Sequence, residues 1–127
     1  MSLLSFMTAS ADTTRPPAMS SDKIGDPVTN LESVKITPPQ LPDFNREQRY
    51  RQMAGLDGTL VQIFECSTES HTHTDSSSSV TQMPDIIAGD RVVISSVTYN
   101  VLWAEQQPAT GSFGATLLII MSEDKRA

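Results

Sequence analysis

Two histidines one residue apart, His71 and His73, stand between Glu69 and Asp75, with Cys66 just upstream. Imidazole, carboxylate and thiolate are the ligand types that divalent metals take, so metal chemistry would be sought here first. The surroundings argue against it. These residues lie in the tract Ser67-Thr68-Glu69-Ser70-His71-Thr72-His73-Thr74-Asp75-Ser76-Ser77-Ser78-Ser79, which carries no core-forming side chain. The tract reads as a long polar loop in water, lacking the neighbours that orient a ligating imidazole. A pH response is the simpler chemistry, because free histidines gain charge near an unperturbed pKa of about 6.5. Cys66 falls on an expected strand and reads as a small buried hydrophobe rather than a reactive thiol.

No other residue set spells out a reaction. There is no Gly-x-Ser-x-Gly elbow, and Gly111-Ser112-Phe113-Gly114 is too short and polar to cradle phosphate. The carboxylates are dispersed, with no pair set to flank a cleft. The reading is therefore of a protein that is not an enzyme and takes no cofactor or metal. Trp103 and Phe113, near loop ends, fit core or barrel-mouth positions better than ligand stacking. The net charge of −6 comes without any basic stripe, which argues against sequence-general nucleic-acid binding. A single cysteine rules out an internal disulfide framework. No apolar run approaches the about 20 residues a membrane helix needs. Leu3 to Met7 followed by Ala9-Ser10-Ala11 mimics a signal peptide, but no basic residue precedes Leu3 and the apolar core is short. A non-secreted N-terminus is expected.

The elements that must position these residues are mostly strands. The densest run of β-branched and aromatic residues spans Asp85 to Met121 and reads as three antiparallel strands: 91–94, 97–103 and 116–121. In the middle one, Val97, Tyr99, Val101 and Trp103 should share one face. The last is apolar on both faces, as a strand covered on both sides would be. Further strands are expected over 31–37, 59–66 and, briefly, 80–83. A short helix fits 46–54, capped by Asn45 with Gln48 in the capping-box position and Gly55 just past its end. Tyr50 and Met53 would face the core, and Arg46 and Arg49 a solvated or partner-facing edge. Residues 1–30, with Pro16-Pro17 and few large apolar side chains, read as an extended or flexible arm. Residues 122–127 read as a charged tail. The expected fold is mainly β: a small antiparallel β-barrel or sandwich over 31–121, with one short inserted helix, the N-terminal arm and the long polar loop 67–79.

Across 31–121 the chain resembles the head-closure proteins, also called stoppers or head–tail connectors, of tailed bacteriophages. The resemblance rests on Tyr50 to Leu56 ending the helix, on the turn Met83 to Asp90 leading into Arg91-Val92-Val93-Ile94, and on Thr98-Tyr99-Asn100-Val101 before Trp103. Ile87, Gly89, Asp90, Tyr99 and Val101 match the recurring core of that family. One departure is Ser95-Ser96, where the family usually has a glycine, implying a slightly longer or differently twisted turn. The resemblance implies a small barrel that assembles as a homo-oligomeric ring beneath portal and adaptor proteins, closes the DNA-filled head and offers a docking surface for tail proteins. It implies a place in the virion neck, with assembly in the host cytoplasm. By the same analogy Glu69, His71, His73 and Asp75 would line a channel through which DNA passes without specific binding, its phosphates repelled by the acidic residues. The alternatives are a tail-terminator or minor tail protein, or a monomeric β-barrel binding module.

Overall fold

The computed structural model describes residues 7–15, 28–53, 62–109 and 114–123. In chain order these form β1 (Ala9–Arg15), β2 (Val28–Ile36), α1 (Phe44–Met53), β3 (Phe64–Glu69), β4 (His71–Asp75), β5 (Ser78–Gln82), β6 (Arg91–Ile94), β7 (Val97–Gln107) and β8 (Thr116–Glu123). All eight strands belong to one antiparallel sheet, in the order β3-β8-β7-β6-β1-β2-β4-β5. The architecture is the mainly β, barrel-like fold with one short helix that the sequence indicates.

The curled sheet meets itself where β3 pairs with residues just beyond the end of β2. Thr37 donates its amide to the Ser67 carbonyl at 2.9 Å, and Gln40 and Glu65 exchange amide-to-carbonyl bonds at 3.0 and 2.8 Å. Residues 37–40 thus cover the outer edge of β3, which satisfies backbone groups that would otherwise stand open. The other edge of the sheet is β5.

Strand β8 shows how the apolar residues sort. Leu117, Ile119 and Met121 point into the concave core with Val34, Ile36, Val92, Ile94, Tyr99 and Val101. Leu118 and Ile120 point outward and are covered by Tyr50 of α1, Ile63 and Trp103. Each such side chain contributes about 1.5–3 kcal/mol on full burial. Two-sided coverage is why this strand has no polar face until Ser122.

In several places the structure corrects the sequence reading. Residues 9–15 are not an outlying arm: β1 lies inside the sheet between β6 and β2, with Ala11 and Thr13 buried. The tract 67–79 is not a long loop either. It supplies the end of β3, all of β4, a two-residue turn and the start of β5. That turn is Ser76-Ser77, with φ of 49° and 74°, and Ser95-Ser96 joins β6 to β7 in the same way at 50° and 69°. Positive φ at both central residues is the geometry of the tight hairpin turn whose twist matches the strands, so the second turn is not lengthened. Trp103 does not share a face with Val97, Tyr99 and Val101. A register shift between Val101 and Trp103 pairs Val101 with inward Met121 and Trp103 with outward Ile120, turning the indole under the helix. The helix starts earlier than expected and is capped by Asp43, whose carboxylate accepts from the Arg46 amide at 2.9 Å, rather than by Asn45. The expected C-cap Gly55, the start of the 59–66 strand and Phe113 lie outside the described residues, as do residues 124–127. The described helix is far too short and polar to cross a membrane.

Candidate functional site

Three clusters of polar side chains carry the candidate residues. In the first, β3 bends at Ser70 into β4, and together they run antiparallel to β2 and residues 37–40. Regular pairing holds at Leu31–Asp75 and Glu32–Thr74, and resumes at Thr37–Ser67. Between these patches β2 is disturbed at Ser33, which has φ of 60° and donates its amide to Asp12. Side chains fill the gap. The Lys35 amide donates to His71 Nε2 at 2.9 Å, and the Lys35 carbonyl accepts from Thr68 Oγ1 at 2.5 Å.

That arrangement fixes the histidine tautomer. A backbone amide can only donate, so His71 Nε2 must be the acceptor and the proton sits on Nδ1, which donates to the Glu69 carbonyl at 2.6 Å. Both ring nitrogens of His71 are therefore committed to backbone groups. His73 donates Nδ1 to the His71 carbonyl at 3.2 Å, and its Nε2 is buried without a partner among the described residues. The two rings lie 5.2 Å apart. Glu69, His71 and His73 are buried, so they do not line a solvent-filled passage as the resemblance implied; Asp75 at the hairpin tip is half-exposed. Cys66 sits in the core, where burial first and the nearby Glu65 charge second push its thiol pKa up to about 12. It is an inert packing residue at neutral pH.

The second cluster is the helix edge. Arg46 reaches back to the sheet, donating to Glu65 at 2.8 Å and to the Tyr50 hydroxyl at 2.9 Å, while that hydroxyl donates to the same Glu65 oxygen at 2.6 Å. Its guanidinium also lies 5.7 Å from the Tyr50 ring centre. Burial, followed by the bond to Glu65, holds the Tyr50 phenol above its ordinary pKa. Arg46 is thus a clasp between α1 and β3. Arg49 is exposed beside it, and both line a cavity of about 150 Å³ with Tyr50, Glu105, Gln107 and Leu118. Glu105 is steadied by the Trp103 indole N–H at 3.0 Å. Small-molecule sites commonly run from about 300 Å³ upward, so this recess suits a single side chain better than a cofactor.

The third cluster is the Gly-Asp turn. Gly89, at φ of 97°, allows the chain to reverse, and the Asp90 amide returns to the Ile87 carbonyl at 3.2 Å. The Asp90 carboxylate is buried, accepts from the Ile87 amide at 3.1 Å and takes both arms of Arg15 at 2.9 and 3.1 Å. The Asp90 carbonyl accepts from Val101 and the Val101 carbonyl accepts from Gly89, each at 2.9 Å, which ties the turn to β7. Tyr99 and Val101 lie in the core, Tyr99 meeting Phe64 edge-on at 5.4 Å, whereas Ile87 is exposed. The structure thus joins Gly89, Asp90 and Val101 in one hydrogen-bonded unit and adds Arg15. Sequence reasoning missed that residue because its partner lies 75 positions away.

Among the described residues no group of three or more His, Cys, Asp or Glu side chains is placed to hold a metal ion. No family model, curated protein or solved structure matches the chain.

Proposed function

We propose that this chain is a structural subunit of the neck of a tailed-bacteriophage virion. Its copies form a ring below portal and adaptor proteins that closes the DNA-filled head and receives the tail. The observation that carries this reading is the character of the surface left open. Among the described residues, strand β5 is an edge with mostly exposed residues and no charged side chain, Ser78-Ser79-Val80-Thr81-Gln82. Natural sheets protect such edges with charge, proline or a covering segment, so an uncharged edge is suited to meeting another chain. Exposed apolar side chains add to it: Leu41 at 61% and Phe44 at 71% lie together at the start of α1, and Ile87 stands on the Gly-Asp turn. The net charge of −6 suits a conduit that DNA passes without sticking. With Glu69, His71 and His73 buried, the hairpin tip from Asp75 to Ser79 is the part of the tract best placed to face such a channel.

The rival reading, a monomeric binding module, draws on the recess beside Arg49. Particles assembled without the protein separate the two. The neck reading expects heads that lose their genome and acquire no tails; filled, tailed particles would refute it.

A further inference from the structure

We propose that the His71 imidazole is a proton-operated latch: neutral, it holds the β4–β5 hairpin to β2, and protonated, it lets the hairpin go. The proposal is independent of any role in a virion and rests on the interrupted ladder between β2 and the bent β3–β4 strand. Across that gap the Lys35 amide has no backbone acceptor; His71 Nε2 takes its place at 2.9 Å. The other nitrogen is held by the Glu69 carbonyl at 2.6 Å. An imidazolium has two N–H groups and no lone pair, so protonation would set one donor against another at Lys35. The bond cannot survive with the ring in place.

The charged and titratable groups facing the ring are Lys35 on β2, Glu69 on β3 and His73 on β4, while β5 sets uncharged Gln82 opposite. Burial is the largest influence and, with His73 and Lys35, opposes a charge on His71; the contacts with Glu69 favour one. The outcome is a pKa below the ordinary histidine value. Acid therefore favours whichever arrangement frees the ring to water. Opening the hairpin, which lies at the end of the sheet, does so. Among the described residues β5 is bonded only to β4, and the hairpin meets β2 through the register Leu31–Asp75 and Glu32–Thr74 and the Ser76 amide on the Asn30 carbonyl at 3.1 Å. Weakly tied edge hairpins are the segments that open locally ahead of the core. Release would bare the facing edges of β2 and β4, so acidification converts a covered edge into one able to pair.

Amide hydrogen exchange by NMR on the isolated chain tests this, with rates corrected for intrinsic pH dependence. Between pH 7.5 and 5, the opening equilibrium at the Lys35 amide should rise by up to about 30-fold, the factor set by an exposed histidine of pKa about 6.5. Amides of β8 should not change. The variant His71→Gln keeps an acceptor that does not titrate and should abolish the pH dependence. Nitrogen shifts of His71 at pH 7.5 should report a proton on Nδ1 alone. An unchanged Lys35 opening, an equal rise in β8, a proton on Nε2, or a pH dependence that persists in His71→Gln would each overturn the latch.

Discussion

Replacing Asp90 with alanine should loosen the N-terminal strand more than any other part of the sheet. The carboxylate is 1% exposed and receives two bonds from Arg15 and one from the Ile87 amide. Charge-assisted bonds contribute about 1.5–3 kcal/mol each when their partners are left without a substitute. Arg15 is 34% exposed, so water recovers part of that loss. The expected cost is about 2–4 kcal/mol, or a fall of roughly 10 °C in Tm for a domain of this size. Asp85 contacts the same guanidinium at 3.5 Å but is 68% exposed, so Asp85→Ala should cost no more than about 0.5 kcal/mol. Urea unfolding of both variants measures the contrast. Hydrogen exchange should also show β1 amides losing protection ahead of β3 and β8. Equal costs for the two aspartates, or a loss below about 1 kcal/mol for Asp90→Ala, would refute the claim that the Gly-Asp turn anchors β1.

Replacing Ser95-Ser96 by Asn-Gly should stabilise the protein by about 1 kcal/mol in chemical denaturation, because both serines hold positive φ. Ile120→Ala, beneath α1 and fully buried, should cost about 2–5 kcal/mol and shift the Trp103 fluorescence on the same face. Cys66 ties stability to alkaline pH. Its contribution is fully present below the unfolded thiol's pKa of about 8.5, and is lost as pH rises toward about 12, because only the unfolded state ionises in that window. Stability curves from pH 8 to 11 should therefore fall less steeply for Cys66→Ala than for the natural protein.

The readable parts of the fold were those whose pattern is local. Val97 to Val101 alternates cleanly, and the continuous apolar run in β8 announced a strand covered on both faces. Helix α1 was visible from its Tyr50 spacing and polar start. The hidden parts depend on long-range contacts. Strand β1 is built of Ala, Ser, Asp, Thr and Arg, and nothing in that string reports that Arg15 will meet Asp90 or that Thr13 will be buried. The hairpin is hidden because threonines and histidines read as solvated, although threonine is a good strand residue, both His71 nitrogens bond to backbone and His73 Nδ1 does too. The face of Trp103 is hidden because one residue of bulge reverses alternation without altering composition. The candidate site was legible in part: Gly89, Asp90 and Val101 do act together, whereas Glu69, His71 and His73 are interior, and Arg46 is a clasp.

The claim on which the account depends is that copies of this chain associate around an opening with other neck proteins. Native mass spectrometry of the purified chain, alone and mixed with a portal–adaptor complex, addresses it directly. The account predicts that many copies join that complex as a closed set; a chain that stays monomeric and unbound in the mixture would contradict it.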